Sequence, residues 1–293
     1  MPVLKKALLA AALLLLAYGV ARLLPGTKVD AHAYYQGSGF EVIAHGGGRG
    51  LRPNDTLEAA LHADRLGTDV LEIDIHASRD GVLVLSHDAS VDGMTDGTGL
   101  IREMSFAELQ KLDAAAGFEG GDGVSLRNTG VRIPALEAVF TALPGARYII
   151  EIKQQQPSIA AALCRMIRKH GLQRQVLVAS FGNQAIREFR GDCPEVATSL
   201  SQPETTWLVV LQKLGLAHLY PLEGVALQVP LQSSGITVVT PGFLHDMQAR
   251  GLRVQVWTIN DEQQMRELIG LGVDGIITDY PDRLQSVVDA PAG

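Results

Sequence analysis

The sequence predicts an α/β protein built on a TIM-type (β/α)8 barrel. Three observations predict it: eight apolar, β-branched runs of strand length, helical stretches between most of them, and polar residues directly after several runs. The predicted parallel strands are residues 42–45, 70–74, 148–153, 176–180, 196–200, 225–229, 254–258 and 275–278. A length of about 250 residues is usual for such a barrel.

Helical periodicity between the strands supports this architecture. It is clearest at 56–66, 158–170, 241–250 and 261–271, each of which begins with a capping residue or proline. Residues 91–132 do not fit a strand–helix unit. They are predicted as an insertion that partly covers the mouth of the barrel, because long loops in compact domains are usually lids or disordered segments.

The N-terminus predicts a hydrophobic helix ahead of the barrel. Lys5 and Lys6 precede an apolar run over 7–21, which Arg22 ends. Fifteen helical residues span about 22 Å against a hydrocarbon core of roughly 30 Å, so the run is a marginal anchor. We favour an uncleaved anchor over a signal peptide cleaved near 31–33. The predicted organisation is an anchor or signal peptide at 1–28, a linker at 29–39 and the barrel at 40–289, facing the periplasm or the extracellular side.

Composition excludes one class of partner and says little about redox chemistry. The net charge of −7, the pI near 5.6 and the 5% aromatic content argue against nucleic-acid binding. Cys164 and Cys193 show no metal or redox spacing, and we expect them to be unpaired.

Three carboxylates at strand ends indicate a metal site. Glu72 and Asp74 lie on one face of a strand because alternate residues point the same way, and Glu151 ends another strand. Ionised carboxylates about 4 Å apart repel by roughly 4 kcal/mol per pair at an effective dielectric of 20, so a cation between them is required. All-oxygen ligands favour one divalent cation, Ca²⁺ or Mg²⁺.

Two imidazoles and an ammonium complete a phosphoester-cleaving set. The connection 77–81 is too short for a parallel crossover, so residues 82–86 are predicted to return as a hairpin strand that brings His87 level with 72–74. His45 and His87 exchange protons near neutral pH, and the sequence leaves open which is the base. Lys153 is predicted to hold phosphate oxygens.

These motifs resemble the glycerophosphodiester phosphodiesterase family. The stretch AHGGGRGLRPNDTLEAALHADRLGTDVLEIDIHASRDGVLVLSHD is similar to the family's opening signature. VDGMTDGTGLIREMSFAELQKLD, RIPALEAV, YIIEIK and VQVWTINDEQQMRELIGLGVDGIITDYPDRL continue the resemblance in the same order, over residues 42–286 in all.

The resemblance implies a TIM barrel, divalent-metal dependence, and hydrolysis of glycerophosphodiesters to sn-glycerol 3-phosphate and an alcohol. It assigns catalysis to His45 and His87. It also implies that Trp257 packs against the glycerol part of the substrate. It assigns the metal to Glu72, Asp74 and Glu151, and a phosphate contact to Lys153.

The chain departs from the family pattern beside the first histidine. The family usually has arginine there, where this chain has Gly46, and we expect Arg49 in the same glycine-rich loop to reach the phosphate instead. The usual Glu-Asn-Thr is replaced by Asn54-Asp55-Thr56.

Two alternative functions stay open from the sequence. A lysophospholipase D acting on lysolipids is suggested by the predicted membrane helix. A non-catalytic barrel that binds glycerophosphodiesters is suggested by Gly46, although a binder would not need both histidines and all three carboxylates. The partners expected are thus a small glycerophosphodiester or lysolipid, and the membrane through the N-terminal helix.

Overall fold

A computed structural model describes residues 2–120, 123 and 125–290 of the chain. Its strands are β1 (Glu41–Ala44), β2 (Val70–Ala77), β3 (Leu83–Leu85), β4 (Tyr148–Ile152), β5 (Val176–Ala179), β6 (Ala197–Thr198), β7 (Ala226–Pro230), β8 (Gln232–Ser233), β9 (Ile236–Thr237), β10 (Arg253–Trp257) and β11 (Gly275–Thr278). Its α-helices are α1 (Pro2–Ala21), α2 (Leu57–Arg65), α3 (Phe106–Leu109), α4 (Leu136–Ala142), α5 (Ala160–His170), α6 (Asn183–Asp192), α7 (Gln202–Lys213), α8 (Pro241–Gln248), α9 (Glu262–Leu271) and α10 (Pro281–Asp289).

Eight parallel strands form the predicted barrel. They pair in the order β6-β5-β4-β2-β1-β11-β10-β7, and a parallel bridge between Ser199 and Ala226 brings β6 to β7. The strands are buried on both faces, which explains their continuous apolar runs. Because all eight run the same way, the residues that follow them meet at one end of the barrel, the mouth.

The predicted hairpin is confirmed and lengthens β2. β3 pairs antiparallel with β2, with Ile75 opposite Leu85 and Ala77 opposite Leu83. The Ser86 amide donates to the Asp74 carbonyl at 2.9 Å, so His87 begins beside the carboxylate strand as predicted. The extra pairing partner is why β2 continues to Ala77, three residues beyond the predicted end at Asp74.

The insertion is packed onto the barrel. Val91, Ile101 and Leu109 are fully buried and form a separate apolar cluster with Val84 and Ile133 from the barrel side. Because this cluster fixes the segment, its Gly93, Met94, Gly117 and Phe118 line one side of the mouth.

The residues after α1 contact the end of the barrel opposite the mouth. Thr27 and Val29 hydrogen-bond to Arg250 in the loop before β10. Tyr34 is 2% exposed and packs with residues of the strands at that end, and the Arg147 guanidinium lies 4.3 Å from its ring centroid. The stretch predicted as a linker therefore closes the barrel floor.

α1 is long and apolar enough to cross a membrane. Its residues 3–21 have a mean hydropathy of 1.9 and none of this stretch is buried against the rest of the described chain. A signal sequence near an N-terminus has the same properties. At 1.5 Å per residue the 20-residue helix spans about 30 Å, which is longer than the run considered from sequence because the helix begins at Pro2.

The prediction of unpaired cysteines is wrong. Cys164 on α5 and Cys193 directly after α6 form a disulfide, with their Cα atoms 5.7 Å apart. The reason is that α5 and α6 are neighbours in the ring of helices, and both residues lie on buried faces.

Candidate active site

Three carboxylates converge at the mouth. Asp74 on β2 is paired in register with Glu151 on β4, and Glu72 lies two residues earlier on the same face of β2. One oxygen from each lies within 4.8 Å of the others. Glu72 and Asp74 are buried, so solvent does little to screen their charges.

The electrostatics of this cluster fit a bound cation. Burial and the neighbouring Asp55 carboxylate raise the pKa of Glu72 to about 8. Burial and the Glu72 charge raise the pKa of Asp74 well above its ordinary value. The donor set is oxygen only, which fits a hard divalent ion rather than zinc.

Lys153 lies among the carboxylates. Its Nζ is 3.2 Å from Asp74 Oδ1 and 3.0 Å from Glu151 Oε2. Burial alone would lower the pKa of Lys153, but Asp74 and Glu151 outweigh it, and the pKa is raised above its ordinary value. One ammonium does not balance three ionised carboxylates, so the ionised cluster can take a further cation.

Asp55 is a fourth carboxylate that the sequence interpretation did not assign to the site. It is fully buried, and its two oxygens accept from the Asp74 amide and from Asn54 Nδ2, each at 2.9 Å. Burial and the Asp74 charge raise its pKa. Asp55 therefore fixes the backbone of β2 between the two predicted ligands. The sequence signal that could have assigned Asp55 to the site was its place in the Asn54-Asp55-Thr56 motif.

His45 follows β1 and is oriented by a carboxylate that the sequence interpretation missed. Its Nδ1 lies 2.7 Å from Asp279 Oδ1, directly after β11. Arg49 Nε donates to the same oxygen at 2.8 Å, and Asn260 Nδ2 donates to the other at 2.8 Å. Burial raises the pKa of Asp279, but the hydrogen bonds from His45 and Asn260 outweigh it and the net pKa is lowered. An ionised Asp279 accepts the Nδ1 proton, which leaves Nε2 of His45 for chemistry.

Gly46 is required by its surroundings. Its φ is +54°, and a Cβ at this position would lie 1.7 Å from Asn54 Oδ1. Its amide donates to Glu72 Oε2 at 2.9 Å. Asn54 thus occupies the space that a side chain at position 46 would enter, which explains why this chain lacks the arginine expected from the family pattern.

His87 lines the mouth and is more exposed than His45. Its side chain is 45% exposed, and its Nδ1 lies 2.9 Å from Asp88 Oδ1. It lines a polar cavity of about 440 Å³ together with Arg49, Asn54 and Asp279. His45 reaches the same mouth through its hydrogen bond to Asp279. Arg49 was predicted to contact phosphate, and in the structure its side chain contacts Asp279.

Trp257 ends β10 beside a second, largely apolar cavity of about 300 Å³. Glu151 also lines this cavity. Phe181 packs edge-on against Trp257, with the two ring centroids 5.8 Å apart. The apolar cavity therefore reaches the predicted metal ligand Glu151, and the polar cavity reaches Asp279, the partner of His45.

Residues 45–283 match the model of the glycerophosphoryl diester phosphodiesterase family. The chain is 28% identical over 252 residues to a glycerophosphodiester phosphodiesterase of Caldanaerobacter subterraneus, covering 84% of this chain and 97% of that protein. It is 25% identical over 272 residues to lysophospholipase D GDPD1 of Homo sapiens, covering 83% of this chain and 84% of that protein. An Oleispira antarctica phosphodiesterase, solved in complex with the product sn-glycerol-3-phosphate, has a TM-score of 0.73 at 28% identity and covers 89% of this chain and 100% of that one.

Proposed function

The chain belongs to the glycerophosphoryl diester phosphodiesterase family, and we propose that it hydrolyses glycerophosphodiesters to sn-glycerol 3-phosphate and an alcohol. The observation that carries this proposal is the convergence of three carboxylates, Lys153 and two aspartate-paired histidines on one mouth. The sn-glycerol-3-phosphate bound to the Oleispira relative supports the choice of substrate.

We propose that Glu72, Asp74 and Glu151 hold one Ca²⁺ or Mg²⁺ ion. Together with the Lys153 ammonium, such an ion would neutralise the three carboxylates, and it would polarise the phosphate oxygens. Lys153 lies between Asp74 and Glu151, where its ammonium would also neutralise a non-bridging phosphate oxygen.

The histidines take different roles in this proposal. His45 is held by Asp279 so that its Nε2 accepts a proton from the attacking group, which is either water or the glycerol hydroxyl. His87 lines the polar cavity, which suits the leaving alcohol, and protonates the alcohol oxygen as its bond to phosphorus breaks. Trp257 packs against glycerol on the other side, as the family resemblance implies.

Glycerophosphocholine tests the proposed reaction directly. With Mg²⁺ or Ca²⁺ we expect the full-length protein to release choline and sn-glycerol 3-phosphate in equal amounts, and a chelator to abolish the release because the carboxylates then lack their counter-ion. Both products are measured enzymatically. Release of phosphocholine and glycerol instead would contradict the proposal. Saturable binding without turnover would favour the non-catalytic barrel.

We further propose that α1 is an uncleaved anchor and that the barrel lies outside the cytosol. Two observations support this location. Residues 3–21 are apolar and long enough to span a bilayer, and Cys164 and Cys193 form a disulfide. Structural disulfides persist in oxidising compartments and are rare in the cytosol.

The cysteines give a test of this location. In acid-quenched, denatured extracts of the native cells we expect no mass shift with polyethylene glycol maleimide before reduction and two adducts after it. The intact chain should sediment with the membranes. Two adducts without reductant would contradict the location outside the cytosol. A soluble chain shortened by about thirty residues would contradict the uncleaved anchor.

A further inference from the structure

Four large apolar side chains outside α1 stay exposed together on the barrel surface. Trp207, Val210 and Leu214 are 61%, 42% and 52% exposed, and their spacing of three and four residues puts them on one side of α7 and its C-terminal cap. Ile236 on the β8–β9 hairpin is 53% exposed and lines the same apolar cavity as Val210. These four residues form the α7 face, which takes no part in the reaction proposed above.

The α7 face adjoins the C-terminal end of α1. Tyr18 of α1 donates from its hydroxyl to the Leu214 carbonyl at 2.8 Å. Four residues after Leu214, His218 Nε2 donates to the Ala21 carbonyl at 3.0 Å. Tyr18 and Ala21 belong to the stretch that is long and apolar enough to cross a membrane. These contacts would therefore hold the end of α7 at the point where a spanning α1 leaves the bilayer.

The α7 face extends along the helix from this contact. Trp207 lies seven residues before Leu214, which is about 10 Å along the helix axis. Lys213 Nζ donates to the Thr237 carbonyl at 3.2 Å, so the hairpin that carries Ile236 is held to the same end of α7. All four side chains are thus close to the predicted membrane boundary of α1.

The segments that carry the α7 face have no exposed acidic side chain, although the net charge is −7. Between residues 202 and 222 the one acidic residue is Glu204, which is largely buried and ion-paired with Arg190 at 2.6 Å. Residues 231–240 contain no charged residue, and Lys213 is exposed between the two segments. An apolar patch with a cation at its edge and no anions is complementary to a bilayer that contains anionic lipids.

We infer that the α7 face docks onto the bilayer, with its four side chains in the layer between headgroups and acyl chains. The inference rests on the proposed anchor and adds a second membrane contact, made by the barrel itself. Trp207 suits this layer because its ring is apolar and its N–H can donate to headgroups. The position of α1 at one edge of the face favours a bilayer over a second copy of the chain, because a membrane that holds α1 is already present there.

Fluorescence quenching by brominated lipid tests this contact. The chain has two tryptophans, so in full-length Trp257→Phe protein only Trp207 fluoresces. In vesicles of phosphatidylcholine and phosphatidylglycerol we expect lipid brominated near the headgroup end of its acyl chains to quench about half of this fluorescence or more. Lipid brominated near the methyl end should quench less, because interfacial side chains lie only about 5–10 Å deep. Flotation of the vesicles measures membrane binding of the whole chain separately.

Val288 on α10 provides matched controls because it is an exposed valine, as Val210 is. A chain whose one tryptophan is at position 288, in place of both native tryptophans, should float equally and show no quenching by either lipid. Val210→Glu with Ile236→Glu should reduce the quenching of Trp207 to that level, because the two carboxylates would have to leave water. Val288→Glu should leave the quenching of Trp207 unchanged.

Three outcomes would overturn the docking of the α7 face. A chain that floats without quenching of Trp207 would exclude this contact and leave the anchor intact. A chain that does not float would overturn both the contact and the anchor. Cross-linking of two Val210→Cys chains by a bis-maleimide, with Trp207 unquenched, would make a second copy the occupant of the face. Turnover of glycerophosphocholine in the same samples tests the proposed reaction independently of all three.

Discussion

Glu72→Gln is expected to lower turnover of glycerophosphocholine about 10³-fold at saturating Mg²⁺ or Ca²⁺, because several kcal/mol of charge stabilisation are lost and each 1.36 kcal/mol is a factor of ten. The amide oxygen of glutamine still accepts from the Gly46 amide, so the loss reports charge rather than a broken hydrogen bond. The measurement is kcat as a function of cation concentration. Glu267→Gln, on the exposed face of α9, is the matched control and should retain wild-type turnover.

The same variant tests whether the carboxylates destabilise the fold without a cation. The folded-state pKa of Glu72, about 8, lies above the ordinary value near 4.5, so its contribution to stability is full below pH 4.5 and is lost as the pH rises through 8. With chelator present, the Tm of the wild-type protein should fall from pH 5 to pH 8, and that of Glu72→Gln should fall less. Added cation should remove the difference between the two pH values, since it binds the folded state. A Tm with chelator that rises over this range would argue against the cluster as a cation site.

His87→Ala is expected to lower turnover of glycerophosphocholine by roughly 10²- to 10⁴-fold, the range typical of a lost general acid. The loss should shrink to within tenfold for a glycerophosphodiester whose leaving group is p-nitrophenol, because p-nitrophenolate departs without needing a proton. His45→Ala should lose activity on both substrates, since activation of the attacking hydroxyl is needed in each case. The measurement is kcat/KM for the two substrates.

His245 is exposed on α8, and His245→Ala should leave both rates at the wild-type level. Equal losses in His87→Ala for both leaving groups would contradict the assignment of His87 as the acid. A leaving-group effect confined to His45→Ala would reverse the two roles.

The barrel could be predicted from the sequence because the patterns that indicate its strands extend over only a few neighbouring residues. Each strand is a continuous apolar run, and the alternation of Glu72 and Asp74 with Leu71 and Ile73 puts the carboxylates on one face. The position of His87 followed from the shortness of the connection before β3, and the structure gives that register. Chain geometry over a few residues was sufficient in both cases.

The partners of these side chains could not be predicted in the same way. Asp279 is 234 residues from His45, and the two meet because β11 pairs with β1 when the barrel closes. A carboxylate directly after a strand was the signal used for the other site residues and was also present here. The packing that brings Cys164 to Cys193 has no local signal, because it depends on how α5 and α6 pack together around the barrel.

The barrel floor formed by Tyr34 has a consequence for how the barrel is held relative to α1. Thr27 is hydrogen-bonded to Arg250 and Tyr34 is buried between the strands, so the stretch from α1 to β1 is held to the barrel at these two points. A catalytic domain on a flexible tether would sample every orientation, whereas this one would keep a fixed orientation if α1 is the membrane anchor proposed above. Access to lipid would then be set by geometry rather than by diffusion of the domain, and glycine residues inserted between Arg22 and Thr27 would release that orientation without touching the reacting groups.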